Sequence, residues 1–139
     1  ITMKEKKIFQ PLTSKNVCLI YALLRKRNLV SFDITQDARN RIEALVSNIT
    51  NVYFGREIYT SFEEKAVAYL FFIIKNHPFV DGNKRTATLV FEVVCYMNNL
   101  NPDYSVYNLD ALAIFIEKIQ EKDHQRVIKQ LSDLLFRTK

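Results

Sequence analysis

Residues 77–85, which read His-Pro-Phe-Val-Asp-Gly-Asn-Lys-Arg, bring together a base, a carboxylate, a glycine, an amide and two cations. We call this segment the motif loop. The residues on both sides of it are strongly apolar. Polar groups at the edge of an apolar core cost free energy unless they are paired, so this density predicts that the motif loop binds a ligand.

The second half of the motif loop has the composition of an anion site. A helix is predicted to begin after Gly82, and the free N–H groups and positive dipole end of a helix start attract anions. Glycine lets an anion approach the backbone closely, and the following amide and cations add donors. Two basic residues at a helix start also call for an anion nearby. The residues predicted to bind a nucleotide phosphate are Gly82, Asn83, Lys84 and Arg85.

Asp81 and His77 supply a metal ligand and a base. Mg²⁺ usually takes one or two protein carboxylates together with phosphate oxygens and water, and Asp81 directly precedes the anion site. An imidazole can accept a proton at neutral pH, so His77 is the predicted general base toward an attacking hydroxyl. Taken singly, the residues of the motif loop also have purely structural interpretations. His77 could cap a helix, Asp81-Gly82 could form a turn, and Lys84 and Arg85 could be solvated residues in the first turn of a helix. Their combination favours the functional interpretation.

The motif loop resembles the signature of the Fic/Doc family, His-x-Phe-x-Asp/Glu-Gly-Asn-Gly/Lys-Arg followed by a second arginine. Looser similarity covers about the middle half of the chain. The resemblance implies an all-α Fic/Doc-type helical bundle with a small β-hairpin flap before the central helix. It also implies ATP or another nucleoside triphosphate as donor, Mg²⁺, and a target protein modified on a Ser, Thr or Tyr hydroxyl. The matching residues are His77, Phe79, Asp81, Gly82, Asn83 and Arg85, with Lys84 in the variable place.

Lys84 and Thr88 bear on which group is transferred. Fic-like members transfer AMP, whereas Doc-like members carry lysine in place of glycine and transfer the terminal phosphate. Here the lysine is present, and Thr88 stands where the second arginine is expected. The resemblance therefore favours Doc-like phosphotransfer over AMP transfer, although Asp81 and Gly82 belong to the Fic pattern. A catalytically silent binding or regulatory module is the remaining alternative.

Residues 52–60 are predicted to form a small hairpin or extended flap, because β-branched and aromatic residues surround a single glycine that can turn the chain. The resemblance implies that this flap aligns the target segment by strand addition. The residues expected to position the target are Phe54, Gly55, Arg56 and Ile58.

The inhibitory motif of many family members, Ser/Thr-x-x-x-Glu-Gly/Asn, is not found. Thr60 and Glu64 have the spacing, but Lys65 follows, and a helix cap at Ser61 already explains them. This implies an antitoxin-like or other inhibitory partner, an inhibitory element outside this sequence, or a toxin that is not autoinhibited.

The elements that hold the motif loop are predicted to be helices. The 139 residues are 48% hydrophobic with only two glycines and three prolines, which favours a single all-α domain over 1–139. Apolar spacing and capping residues predict helices at 18–24, 37 to about 51, 62 to a break at residue 77, 83–97, 109–120, and from 124 onward.

Charge and targeting signals restrict the partners. The net charge is +5, but the first 30 residues hold seven Lys or Arg, so the basicity is local. The basic residues 25–27 end a predicted helix, where they favour the dipole, so no nucleic-acid partner is predicted. No 18-residue apolar window or secretory signal is found, which predicts a cytoplasmic protein without a membrane segment. The start Ile1-Thr2-Met3 suggests either a tag remnant or a domain cut from a longer chain.

Cys18 and Cys95 each lie in an apolar run, far apart in the sequence. Such cysteines are usually buried free thiols. We therefore predict neither a disulfide nor a metal site from them.

Overall fold

The computed structural model of the protein describes residues 7–137, so Ile1-Thr2-Met3 lie outside the described residues. Within this range the chain forms six helices and one antiparallel hairpin, in which Val52 pairs with Glu57. The all-α prediction and the predicted hairpin are confirmed. The elements are α1 (Ser14–Lys26), α2 (Gln36–Thr50), β1 (Val52–Tyr53), β2 (Arg56–Glu57), α3 (Phe62–Asn76), α4 (Asn83–Met97), α5 (Leu109–Lys118) and α6 (His124–Leu135).

Helix α3 lies at the centre because its sequence is apolar on all sides. It begins at Ser61, whose hydroxyl accepts a hydrogen bond from the Glu64 N–H at 3.0 Å. Residues 65–71 are all buried, and α3 packs against α2, α4, α5 and α6. An all-round apolar helix is stable only in such a position. Its last residue, Asn76, therefore brings the motif loop to the edge of the core.

Helix α4 begins directly after the motif loop and packs against α1, α3 and α5. Each end of the motif loop is thus attached to a buried helix. Lys75, in the last turn of α3, also donates a hydrogen bond to the Ile119 carbonyl at the end of α5. These contacts place α5 beside the motif loop.

Three helix boundaries differ from the prediction by two or more residues, and one of them is the end of α1, at Lys26 rather than at residue 24. Helix α1 begins at Ser14 rather than at residue 18, since the Thr13 hydroxyl and the Asn16 side chain form a complete capping box before the apolar residues begin. The first turn is polar and gives no periodic signal. Helix α5 ends at Lys118 rather than at residue 120, with extended backbone at Ile119.

The two cysteines are buried and free, as predicted. Burial, with smaller contributions from Glu92 and Glu63, raises the pKa of the Cys95 thiol to about 12. This thiol is therefore protonated at neutral pH and a poor nucleophile. No helix in the described part of the chain is long and apolar enough to cross a membrane.

Candidate active site

His77 ends helix α3 in the left-handed conformation, with φ 46° and ψ 57°. Histidine and asparagine tolerate this region better than most residues. The turn separates the imidazole from the helix axis, and the side chain is exposed, whereas Pro78 and Phe79 beyond it are buried. The predicted base is therefore accessible while the adjoining loop is anchored in the core.

The side chain of Asn83 holds the motif loop from within. Its Oδ1 accepts a hydrogen bond from the Phe79 N–H, and its Nδ2 donates to the Phe79 carbonyl, both at 2.9 Å. Only 6% of Asn83 is exposed. The two polar ends are thus occupied inside the loop, so the group that Asn83 offers to an anion is its backbone N–H. Sequence reasoning assigned Asn83 to phosphate binding alone and missed this internal role.

The same amide also orients His77. Because Phe79 fixes which end of the Asn83 amide carries the nitrogen, the amide N–H faces His77 Nδ1 at 3.3 Å. In this arrangement Nδ1 is the acceptor and the neutral ring carries its proton on Nε2. The contact is long for a hydrogen bond, so an arriving hydroxyl can replace it.

Residues 29–31, which we call the strap, contact three residues of the motif loop. The Ser31 N–H donates to Asp81 Oδ2 at 3.2 Å. The Leu29 carbonyl accepts from Arg85 Nη1 at 2.7 Å. Between them, Val30 packs over Gly82. No local sequence pattern marks this stretch.

Val30 and the backbone conformation at Gly82 each call for a glycine, a reason separate from the predicted close approach of an anion. Its φ is 78°, in the left-handed region that favours glycine. A Cβ at this position would lie 2.2 Å from Val30 Cγ1, well inside van der Waals contact. The glycine therefore lets the strap pack directly on the motif loop.

Replacing Gly82 with alanine is expected to lower the free energy of unfolding by about 2–4 kcal/mol, from left-handed strain and overpacking together. Gly55→Ala is the matched control, because Gly55 has φ 74° but nothing within 4 Å of a Cβ. It should lose only the strain contribution, about 1–2 kcal/mol. Urea denaturation measures both, and equal losses would show that Val30 does not matter.

Helix α4 is the one described helix without a side-chain N-cap. It begins at Gly82, with no cap hydrogen bond and no acidic residue in its first turn. Its first N–H groups are thus left for another acceptor, and its dipole is uncompensated. The other five helices have an N-cap residue whose side chain accepts a hydrogen bond from a backbone N–H: Thr13, Thr35, Ser61, Asn108 and Asp123.

The uncapped start of α4 opens into a cavity of about 770 Å³, a size that suits a small-molecule ligand. All six predicted residues of the motif loop reach its lining. The flap residues do not belong to the lining. The lining consists of Leu29, His77, Val80, Asp81, Gly82, Asn83, Lys84, Arg85, Thr88, Asp110, Ala113, Ile114 and Glu117.

Helix α5 forms the opposite wall, with Asp110 and Glu117 at its two ends and two apolar residues between them. Lys84 Nζ lies 2.7 Å from Glu117 Oε2. The hydrogen bond from Lys84, with further contributions from nearby charges, lowers the pKa of Glu117, so this carboxylate is ionised at neutral pH. Glu117 was not predicted as a site residue, because the sequence alone does not show that α5 packs beside the motif loop.

The hairpin between α2 and α3 is attached to the core at its second strand. Lys65 is buried, and its Nζ lies 3.2 Å from Glu57 Oε2 on β2. Ile58 is half-buried, while Gly55 and Arg56 are exposed. Phe54, at the turn, is fully exposed with a positive φ of 51°. The hairpin therefore presents an aromatic side chain to solvent from an anchored base.

Asp81 fits the role of a lone protein ligand to Mg²⁺. It is exposed in the cavity, and its hydrogen bond from the Ser31 N–H engages Oδ2 and not Oδ1. Within residues 7–137 no cation forms an ion pair with it, and no cluster of three or more potential metal ligands occurs. A hard cation held here would take its other ligands from phosphate and water, as Mg²⁺ commonly does.

Comparison with known proteins identifies a family over most of the site. A family model described as Fic/DOC family matches residues 11–95, more than half of the 139-residue chain. The matched segment includes the strap, the hairpin and the whole motif loop. Neither the curated proteins nor the solved structures give a match.

Proposed function

The chain belongs to the Fic/DOC family, and from this premise we propose that it is a nucleotide-dependent transferase that moves the γ-phosphate of ATP to a hydroxyl of a target protein. The observation that carries the proposal is the uncapped start of α4 in the same cavity as the exposed imidazole of His77. Transfer to a hydroxyl requires an anion site beside a base, and this arrangement supports the proposal that α4 and His77 supply them.

In the proposed reaction, His77 accepts the proton of a target Ser, Thr or Tyr hydroxyl. The hydroxyl oxygen forms a bond to the γ-phosphorus, the bond from that phosphorus to the bridging oxygen breaks, and ADP leaves. The N–H groups at the start of α4 bind the phosphate oxygens. Mg²⁺, held by Asp81, would neutralise phosphate charge when bound.

Thr88 supports transfer of the terminal phosphate. Thr88 lines the cavity, and its hydroxyl donates to the Arg85 carbonyl at 3.0 Å. A threonine cannot hold the outer phosphates of ATP with the charged bidentate fork of an arginine. With that contact absent, the γ-phosphate is not fixed away from the attacking hydroxyl.

AMP transfer is the second candidate, and one contact favours it. The ammonium of Lys84 is paired with Glu117 on α5. A lysine that crowded the anion site would turn the nucleotide round and expose its γ-phosphate to the hydroxyl. While the pair with Glu117 persists, the lysine is held toward the opposite wall, and this reversal is not favoured.

The deciding experiment incubates the protein with Mg²⁺, a cell lysate and ATP labelled at the α or the γ position, with EDTA as the metal control. Label from the γ position alone, present with wild type and absent with His77→Asn, would support phosphotransfer, since kinases of the lysate also transfer the γ-phosphate. Label from the α position alone would establish AMP transfer. No transfer of either label would leave the catalytically silent module as the conclusion.

Removing the charge of Glu117 is expected to tighten ATP binding several-fold, because Lys84 is then free to contact phosphate. Calorimetric titration of Glu117→Gln against wild type measures the change, which should shrink as salt is added. Asp110→Asn is the control, since it removes the same charge from the same helix and cavity without an ion pair to Lys84. Equal tightening in both variants would contradict competition for Lys84.

For partners, we propose that the target protein docks against the hairpin. The fully exposed ring of Phe54 on an anchored hairpin suits such a contact. We also propose that an antitoxin-like or other inhibitory partner binds the protein in the cytoplasm. A partner that covers the cavity should abolish ATP binding measured in the same titration.

A further inference from the structure

Tyr21 of α1 contacts the motif loop and the strap region at once. Only 1% of this residue is exposed. Its ring stacks on Phe79 with centroids 4.1 Å apart and planes 11° from parallel. Its hydroxyl donates to the Phe32 carbonyl at 2.5 Å, one residue beyond the strap. One buried side chain thus joins the two segments that meet at Asp81.

The hydroxyl is the informative part of this side chain. A phenylalanine would supply the same stacking against Phe79 without burying a polar group. The oxygen therefore contributes through its single bond to Phe32, which restrains the chain next to Ser31. The Ser31 N–H in turn contacts the carboxylate of Asp81.

We propose that Tyr21 is a positioning residue that aims the Asp81 carboxylate at Mg²⁺-nucleotide by holding the strap against the motif loop. The inference rests on the proposed function and adds to it a residue outside the motif loop. Tyr21 acts through the strap and touches no reacting atom. Its loss should affect the use of Mg²⁺ more than the maximal rate.

The test compares Tyr21→Phe with a matched control, Tyr69→Phe. Tyr69 is equally buried, and its hydroxyl likewise donates to a backbone carbonyl, that of Leu12, at 2.7 Å. Neither Tyr69 nor Leu12 lines the cavity. Both variants should lose similar thermal stability, so a difference in function cannot come from the loss of one buried hydrogen bond.

Two readouts separate the inference from the proposed function. Hydrogen exchange should quicken at residues 29–33 and 79–82 in Tyr21→Phe and stay at the wild-type rate there in Tyr69→Phe. The Mg²⁺ concentration for half-maximal label transfer should rise several-fold in Tyr21→Phe alone, with the rate at saturating Mg²⁺ within about twofold of wild type.

Unchanged exchange at these residues would overturn the inference. So would faster exchange together with an unchanged Mg²⁺ requirement, or an equal Mg²⁺ shift in the two variants. If wild type transfers no label, the proposed function fails by itself, and the exchange comparison still decides whether Tyr21 holds the strap on the loop.

Discussion

Replacing His77 with asparagine is expected to lower the rate of label transfer by at least about 100-fold, the usual cost of losing a general base. Asparagine is the better substitution, because His77 has a φ of 46° and asparagine tolerates that region, whereas alanine adds strain. Asparagine cannot accept the hydroxyl proton. Thermal unfolding should therefore be near that of wild type while transfer is lost.

His124→Asn is the matched control for this variant. His124 begins α6, and its ring packs against Phe71 and Phe72 with centroids 4.9 Å and 6.0 Å away. It does not line the cavity. Transfer should persist in this variant even if some stability is lost. Label transfer by His77→Asn at the wild-type rate would exclude an imidazole base and leave the anion site as the source of any activity.

The sequence could predict those parts of the structure that depend on local patterns of residues. The apolar run of α3, the proline after His77 and the resumed periodicity of α4 each depend on neighbours within a few turns. The hairpin follows from residues around Gly55. These local signals place two buried helices at the ends of one polar loop, and the structure has that arrangement.

The contacts that sequence could not predict join residues far apart along the chain. Ser31 and Asp81 are separated by 50 residues, Leu29 and Arg85 by 56, and Lys84 and Glu117 by 33. No periodicity encodes such pairs, since they exist only after α1 and α5 have packed beside α4. A polar residue at a pocket wall also looks like an ordinary solvated residue in the sequence.

Gly82 shows the same limit at one position. A glycine before a helix is expected both where a ligand approaches and where another chain segment packs. At Gly82 the structure adds the second reason, because Val30 packs where a Cβ would lie. The family signature names the residue and does not give the reason for it.

Asp81→Asn is expected to change ATP binding in opposite directions with and without metal. With Mg²⁺, binding should weaken by at least about 10-fold, because the loss of even an outer-shell partner of a metal ion lowers metal affinity by that factor. With EDTA, binding should be equal or tighter, since a negative charge has been removed from the anion site. The asparagine Oδ1 can still accept from the Ser31 N–H, so the strap contact is retained.

The reversal of sign separates a metal ligand from an electrostatic or structural role. A purely repulsive carboxylate would give tighter binding in both conditions, as Asp110→Asn should, because Asp110 lines the same cavity from α5. A structural role alone would weaken binding in both conditions. Calorimetric titration of ATP with Mg²⁺ and with EDTA, on the two variants and wild type, distinguishes these cases. Only opposite signs in Asp81→Asn support a carboxylate that holds Mg²⁺ against the phosphates.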